Sequence, residues 1–269
     1  MYLEHFTLKE FPFLSSPDSR FLYLSDQVNE TLQKCLYLIN NRIGPLFCAG
    51  PIGTGKTTLA KRLHQQLEND QGKYLVSYLV IPPKITVNAL LRMMMDEFGV
   101  KTERSYDGCL KNLADWLVEQ HIAGIKPVVI MDEAQNLTPT NLKLLHFLLN
   151  YETDREKLLQ LVLFGQTELA HRIERFPELK SRMYPAALAA LDRKVTEEMI
   201  AFRWMVAGGK ALPFSSDVFD ELFRVTLGLP REIVKLCDLT LLRAFSDSRQ
   251  TVSVEDVREA SKELGLQKD

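Results

Sequence analysis

The stretch Gly50-Pro51-Ile52-Gly53-Thr54-Gly55-Lys56-Thr57-Thr58 decides the fold of this chain, because it matches the phosphate-binding pattern G-x-x-x-x-G-K-[ST] in full. The glycines let the backbone curl so that successive N–H groups point at phosphate oxygens. Lys56 adds a positive charge for the β- and γ-phosphates, and Thr57 offers a hydroxyl to Mg²⁺. We therefore predict that residues 50–58 bind a nucleotide.

The flanking sequence has the order that such a loop requires. Residues 45–49 predict a short buried strand, and residues 57–67 have apolar positions at helical spacing. The positive end of that helix would face the phosphates. The alternative is a chance glycine turn before an amphipathic helix, and the agreement between the motif and its flanks argues against it.

Two carboxylates complete the predicted site. Residues 127–131 form an apolar run that ends in Asp132 and Glu133. In phosphate-loop proteins a strand-terminal aspartate lies beside the loop and helps to hold Mg²⁺, and an adjacent glutamate can polarise the attacking water. We predict that Asp132 binds the metal with Thr57 and that Glu133 is the general base. A base of this kind favours hydrolysis over transfer to a small substrate; a solvated turn is the alternative.

A third candidate follows the next predicted strand. Residues 158–164 have the pattern of a strand, and Gly165-Gln166 come directly after it. If this strand lies between those that carry the loop and the carboxylates, Gln166 would face the γ-phosphate and sense the nucleotide during catalysis. An N-cap role in the following helix is an equally open alternative.

The predicted strands alternate with helices, which is typical of a parallel sheet with helices on both faces. Five strands are predicted, at residues 45–49, 74–81, 127–133, 158–164 and 186–191. Gly208-Gly209 mark a break in composition, and three helical patterns follow it, at residues 217–226, 230–245 and 254–264. We predict an α/β fold of the P-loop NTPase type with three parts: an aromatic N-terminal arm at residues 1–25, the ATPase domain at 26–207 and an all-helical lid at 210–269.

The N-terminal arm is rich in aromatic residues and proline, among them Phe6, Phe11, Phe13, Phe21 and Tyr23. This composition predicts an irregular segment that is held to the rest of the chain by its rings. Two roles are open for these rings: simple packing in a core, or a contribution to the adenine pocket.

Composition excludes several classes of protein. The chain has 46% hydrophobic and 25% charged residues and a formal net charge of −2, which is typical of a soluble globular protein without a global attraction to nucleic acid. The four cysteines are far apart, without the spacing of a zinc site, and are expected to be reduced core residues. No apolar run has the length of a membrane span. We therefore expect a cytoplasmic protein that does not insert into a membrane.

The order of these motifs resembles that of the AAA+ ATPases. Three segments are similar to the ExeA/GspA group, which shares its ATPase core with the TnsC/TniB-type transposition ATPases: YLEHFTLKEFPF at residues 2–13, MDEAQNL at 131–137 and GQTEL at 165–169. The resemblance implies a parallel five-stranded sheet with a lid, and ATP and Mg²⁺ as ligands. It also implies a homo-oligomer, a ring or a filament, that assembles with ATP.

Two arginines gain a role from this resemblance. Arg182, in Ser181-Arg182-Met183, matches the arginine finger that projects into the nucleotide of a neighbouring subunit, where a planar guanidinium can stabilise charge on phosphate oxygens. Arg231, in Gly228-Leu229-Pro230-Arg231, matches the second sensor, which reports the γ-phosphate to the lid. The alternatives are a solvated cation at a helix end for Arg182 and an ordinary surface arginine for Arg231.

Three biological roles remain open at this stage. The first is a DNA-associated regulator of the transposition type, which would recruit a transposase or recombinase and contact duplex DNA through basic residues such as Lys84, Arg92 or Lys101. The second is an accessory ATPase for secretin or pilus assembly. Secretion-type members carry a membrane segment and a periplasmic domain after the lid, and this sequence ends at Asp269, so we expect no envelope work by this chain alone. The third is a scaffold that binds ATP but scarcely hydrolyses it.

Overall fold

The computed structural model describes residues 2–70 and 72–266, and within them the chain forms five strands, twelve α-helices and two short 3-10 helices. The strands are β1 (Leu46–Ala49), β2 (Tyr74–Val80), β3 (Lys126–Asp132), β4 (Gln160–Gly165) and β5 (Tyr184–Ala187). The helices are α1 (Tyr2–His5), α2 (Asp26–Asn40), α3 (Lys56–Glu68), α4 (Val87–Glu97), α5 (Tyr106–Ile122), α6 (Pro139–Leu148), α7 (Thr167–Glu174), α8 (Pro177–Lys180), α9 (Arg193–Val206), α10 (Ser216–Thr226), α11 (Pro230–Ser246) and α12 (Val254–Glu263).

All five strands are parallel and lie in the order β2-β3-β4-β1-β5. The predicted five-stranded parallel sheet is therefore confirmed. β4 lies between β1 and β3, which is the condition under which the end of β4 meets the end of β3. Because the strands are parallel, the carboxyl ends of β1, β4 and β3 share one edge of the sheet.

The described residues group into two compact units. The sheet unit comprises residues 29–50 and 59–188, apart from residue 71, and the helical unit comprises residues 2–28, 51–58 and 189–266. In the sheet unit, residues 128–131 of the internal strand β3 are fully buried. This burial explains why the sequence of β3 is a continuous apolar run instead of an alternating one.

The position of the fifth strand differs from the prediction. The strand was expected at residues 186–191, but β5 spans Tyr184–Ala187 and includes Pro185. β5 is an edge strand that pairs with β1 alone, and an edge strand tolerates a proline because one row of its N–H groups needs no partner. Pro185 is therefore compatible with a strand at this edge.

The helical unit contains the rings of the N-terminal segment in its core. Phe6, Phe13 and Phe21 are each at most 5% exposed and pack with apolar residues of α9–α12. Phe6 makes an edge contact with Trp204, and Phe13 makes one with Phe214. Packing in a core, one of the two roles open for these rings, is thus what the structure shows for these three.

Arg203 of α9 fixes the same segment through its backbone. Its guanidinium donates to the carbonyl oxygens of Pro12 at 2.9 Å, Phe21 at 3.1 Å and Leu14 at 3.2 Å, and it lies over the ring of Phe21. Burial lowers the pKa of Arg203 to about 10. Three carbonyl dipoles therefore compensate a cation that has no carboxylate partner among the described residues.

The predicted three-part division does not coincide with these two units. The arm and α9 both belong to the helical unit, together with α10–α12, and the glycine pair at 208–209 lies inside that unit. An arm, an ATPase domain and a lid as independent folding domains therefore stay a prediction. Within residues 2–70 and 72–266, no helix is both long enough and apolar enough to span a bilayer.

Helix starts agree with local capping signals. Thr138 and Asn141 form a capping box before α6, and Ser253 and Asp256 form one before α12. α9 begins at Arg193, because the side chain of Asp192 accepts from the backbone N–H of residue 195.

Candidate active site

The phosphate loop, residues 50–55, leaves β1 at the shared carboxyl edge and leads into α3 at Lys56. Gly53 and Gly55 have φ angles of 85° and 94°, a region that favours glycine. Gly50 has a different reason to be glycine: its Cβ would collide with the backbone carbonyl of Leu188, which follows β5. The loop therefore has the curled backbone that the motif predicts.

Lys56 lies within the curl of the loop. Its Nζ donates to the carbonyl oxygen of Pro51 at 2.6 Å and to the Thr54 hydroxyl at 3.3 Å, and the residue is 8% exposed. The Thr54 hydroxyl also donates to the Pro51 carbonyl, at 3.0 Å. These bonds place the ammonium group at the loop backbone, where the motif requires a charge for phosphate oxygens.

Arg231 lies against the phosphate loop within the helical unit. Its backbone N–H, in the first turn of α11, donates to the carbonyl oxygen of Gly53 at 3.1 Å. A Cβ added at Gly53 would lie 2.9 Å from the Cβ of Arg231. The structure thus brings the predicted second sensor to the loop through main-chain contact, and its guanidinium is exposed.

Asp132 is the last residue of β3 and is 4% exposed. Its Oδ2 accepts from the Tyr78 hydroxyl at 3.1 Å, and its Oδ1 accepts from the backbone N–H of Glu133 at 2.9 Å. Burial, followed by the charge of Asp132, raises the pKa of Tyr78. Tyr78 therefore stays a hydrogen-bond donor and fixes the orientation of the buried carboxylate.

Glu133 follows in a left-handed conformation with a φ of 56°. A non-glycine residue at positive φ is uncommon and is found preferentially at functional sites. The turn directs the Glu133 carboxylate to Gln135, whose Nε2 donates to Oε2. The two carboxylates of the motif thus have separate partners, Tyr78 for Asp132 and Gln135 for Glu133.

Gln166 follows β4 at the same edge. It is the N-cap residue of α7, but its side chain makes no capping hydrogen bond. Its backbone N–H donates to Oε1 of Gln135 at 3.0 Å. The sheet unit therefore brings Asp132, Glu133 and Gln166 together at one edge.

Arg182 lies where the strands begin, at the opposite end of the sheet from Asp132 and Glu133. It comes two residues before β5, whose first residue, Tyr184, pairs with Leu46 at the start of β1. Its Nη1 donates to the side-chain oxygen of Asn150. Arg182 is thus not brought to the carboxylates of its own chain. Of the nearby cations, Arg172 donates to the Leu137 carbonyl, so it is held by the fold.

Oxygen donors dominate the acidic part of the site, and they are the ligands that Mg²⁺ prefers. Asp132 supplies a buried carboxylate, and Thr57 supplies a hydroxyl in the first turn of α3. No group of three or more His, Cys, Asp or Glu side chains that could hold a metal occurs in the described part of the chain. Each of these donors by itself is of the kind that Mg²⁺ binds, with water and phosphate completing the shell of the ion.

The basic residues suggested for DNA contact have different surroundings. Lys101 pairs with the Glu103 carboxylate at 3.2 Å, and Arg92 donates to the Glu103 backbone carbonyl. Lys84 is exposed in the connection between β2 and α4 and has a φ of 60°. Lys84 and Lys101 both lie in connecting loops and are exposed, whereas Arg92 lies in α4.

Two site residues were not predicted from the sequence. Tyr78 reads as an ordinary strand residue, since its bond to Asp132 depends on the pairing of β2 with β3. Gln135 lies in the segment MDEAQNL, which was used for the resemblance, but that segment does not by itself indicate which atoms Gln135 contacts. A polar residue two positions after the predicted base is the signal that could have indicated it.

Comparison with known proteins agrees with this geometry. A family model described as an AAA domain matches residues 40–173. The chain is 34% identical to General secretion pathway protein A of Aeromonas hydrophila over 272 aligned positions, a match that covers 98% of this chain and 48% of that protein. The chain therefore spans about half the length of this relative.

Solved structures share the fold at low sequence identity. Cdc6p from Pyrobaculum aerophilum matches with a TM-score of 0.66 and 18% identity, covering 91% of this chain and 70% of that chain. Drosophila ORC bound to DNA matches with a TM-score of 0.68 and 18% identity, covering 95% of this chain and 64% of that chain. The Holliday junction branch migration motor RuvB of Thermotoga maritima matches with a TM-score of 0.61 and 17% identity, covering 96% of this chain and 74% of that chain.

Proposed function

The chain belongs to the AAA+ family, in its ExeA/GspA-like group, and on that premise we propose that it is an ATPase that binds ATP with Mg²⁺ and changes its assembly state on hydrolysis. The observation that carries the proposal is the strand order. Because β4 lies between β1 and β3, the start of the phosphate loop, Gln166 and the two carboxylates all follow strand ends at one edge. Ligands of parallel α/β sheets bind at this edge.

In the proposed complex, backbone N–H groups of residues 50–58 bind the phosphates, and Lys56 leaves the Pro51 carbonyl to pair with the β- and γ-phosphates. Thr57 and Asp132 hold Mg²⁺, with Asp132 oriented by Tyr78. The metal supplies neutralisation of the charge that develops on the phosphate oxygens. Arg231 responds to the γ-phosphate, since its backbone is already bonded to the loop.

Glu133 is the proposed general base. It accepts a proton from a water molecule while the water oxygen bonds to the γ-phosphorus and the bond from that phosphorus to the bridging oxygen breaks, so that ADP and phosphate leave. Gln166 contacts the γ-phosphate, because its side chain is partly exposed and caps no helix.

The test is Glu133→Gln, which keeps the size of the side chain and removes the base. We expect ATP binding to be preserved and turnover to fall by about 100-fold or more. The control is Glu119→Gln, the same change at an exposed position of α5. Turnover of Glu133→Gln at the level of Glu119→Gln would contradict the assignment of the base.

Arg182 supports a site that a second copy completes. It lies at the amino edge of the sheet, whereas Asp132 and Glu133 lie at the carboxyl edge. A guanidinium at this position can reach the phosphates of a neighbouring subunit in a ring or filament, where it stabilises the charge of the transition state. Hydrolysis then depends on assembly.

For the biological role, the sequence relative favours partners in a secretion system, because the protein to which this chain is 34% identical is named General secretion pathway protein A. A DNA-associated regulator of the transposition type is the second candidate, and the exposed charge of Lys84 is the feature that favours it. The solved structures carry no weight here, since likeness at 16–18% identity indicates the fold alone.

Gel filtration separates the two roles. The chain is analysed with a non-hydrolysable ATP analogue at low salt, with and without duplex DNA, and Lys84→Glu is the matched variant. DNA-dependent assembly that Lys84→Glu abolishes would support the DNA-associated role. Assembly that is indifferent to DNA would support the secretion role. An ATP-gated scaffold, the third role, would assemble with ATP and show no turnover above that of Glu133→Gln.

A further inference from the structure

Gln135 connects the proposed base to the end of the neighbouring strand. It lies in the 3-10 turn Ala134–Asn136, two residues after Glu133. Its Nε2 donates to Oε2 of Glu133 at 2.5 Å, and its Oε1 accepts from the backbone N–H of Gln166 at 3.0 Å. One side-chain amide thus uses both of its ends between β3 and β4.

The orientation of this amide is determined by its partners. The backbone N–H of Gln166 can only donate, so it requires the oxygen of Gln135. The amide nitrogen must then face Glu133, whose carboxylate is an acceptor when ionised. A flipped amide would place an acceptor against the carboxylate and a donor against the N–H, and it would lose both bonds.

Close packing holds the amide in this place. Gly165 lies directly beneath it: a Cβ at that position would be 3.0 Å from the backbone nitrogen of Gln135 and 3.1 Å from its Oε1. On the other side, the left-handed turn at Glu133 sets the direction from which its carboxylate approaches. The missing side chain of Gly165 thus leaves room for the amide, and the left-handed backbone of Glu133 orients its partner.

We propose that Gln135 is a positioning residue that selects the productive rotamer of Glu133 and couples it to the end of β4. This inference rests on the proposed function, in which Glu133 is the base. A glutamate has three rotatable side-chain bonds, so without a partner its carboxylate would be spread over several rotamers. A displacement of about 1 Å at a catalytic group can lower a rate by about 100-fold. The bond from Gln135 restricts that spread.

The coupling has a direction that follows from the geometry. Gln166 is the residue proposed to contact the γ-phosphate, and its backbone N–H holds the oxygen of Gln135. A shift of Gln166 towards bound nucleotide therefore moves the amide that holds Glu133. The bridge would make the position of the base depend on whether the γ-phosphate is present.

Two substitutions separate the ends of the bridge. Gln135→Glu keeps the size and the acceptor for the Gln166 N–H but replaces the amide donor to Glu133 with a carboxyl group, which repels the base when both are ionised. Gln135→Met keeps the length and removes both polar ends. The matched control is Gln66→Glu, the same chemical change on the exposed surface of α3.

The measurements are kcat and KM for ATP, the Kd of a non-hydrolysable analogue and the melting temperature. For Gln135→Glu we expect kcat to fall about tenfold or more. KM and Kd should stay within about twofold of wild type, and the melting temperature within a few degrees. Gln135→Met is expected to lose at least as much in kcat and to melt at a lower temperature. Gln66→Glu is expected to behave as wild type.

The outcomes are distinguishable. A kcat of Gln135→Glu within about twofold of wild type overturns the inference. A loss in kcat that is matched by an equal loss in nucleotide affinity also overturns it, because it would indicate general damage to the site. If the wild-type chain itself turns over no ATP, the proposed function fails and the inference fails with it; that result is obtained before any variant is compared.

Discussion

Replacement of Gly53 by alanine tests the contact between the phosphate loop and α11. Two penalties arise at this position. The φ of 85° costs a residue with a Cβ about 1–2 kcal/mol, and the new Cβ would lie 2.9 Å from the Cβ of Arg231, a close contact worth about 1–3 kcal/mol of strain. Gly55 offers a matched control, because its φ is 94° but no atom lies within 4 Å of the place that an added Cβ would take. Gly53→Ala should therefore destabilise the helical unit by about 2 kcal/mol more than Gly55→Ala.

The two tryptophans allow this effect to be measured in one unit. Trp204 lies in the helical unit and Trp116 in the sheet unit, so in a Trp116→Phe background the fluorescence follows the helical unit alone. Urea unfolding without nucleotide gives the free energy of unfolding for Gly53→Ala and Gly55→Ala. Equal losses in the two variants would refute the contact with Arg231. A further variant, Arg231→Gly, removes the opposing Cβ and should recover part of the loss in Gly53→Ala but none in Gly55→Ala.

Three further predictions concern assembly, pH and the N-terminal segment. An equal mixture of Arg182→Ala and Glu133→Gln should recover about a quarter of wild-type turnover, since random assembly pairs intact residues at about one interface in four; no recovery over the separate variants would argue against a finger that acts in trans. Arg224 and Arg258 hold the pKa of Glu221 at about 2, so the stability that this carboxylate contributes is present above about pH 4.5 and is lost as the pH falls towards 2. Glu221→Gln should lower the free energy of unfolding at neutral pH by about 1–2 kcal/mol, and urea titrations should show a smaller loss of stability between about pH 4.5 and 2. Arg203→Met should destabilise the helical unit by about 2–3 kcal/mol in the Trp204 fluorescence assay, because three carbonyl oxygens lose their donor; a loss below about 0.5 kcal/mol would show that water replaces those bonds.

The parts of the site that the sequence predicted have local signals. The phosphate loop is a continuous motif, and Asp132 and Glu133 follow directly from an apolar strand. Gln166 was reached by a conditional argument, and the position of β4 between β1 and β3 satisfies its condition. In each case, neighbouring residues in the sequence are enough to indicate the strand end, and parallel strands then bring the ends together.

The remaining features depend on contacts between distant residues. Tyr78 reaches Asp132 only through the pairing of β2 with β3, and Gln135 reaches Gln166 only because β4 is adjacent to β3. The early start of β5 was not predicted, and the edge position of β5 is what makes a strand compatible with Pro185. Periodicity contains no information on any of these neighbours.

The clamp of Arg203 on the N-terminal segment changes what a minimal fragment of this protein would be. Deleting residues 1–25 removes buried rings and leaves a guanidinium without its acceptors, so the helices after β5 would be left with a hollow interior. We therefore expect that residues 2–25 and the helices after β5 must be present together to fold, although Pro12 and Phe21 lie 191 and 182 residues from Arg203 in the sequence. During synthesis, the N-terminal segment can pack into this core only after α9–α12 have been made.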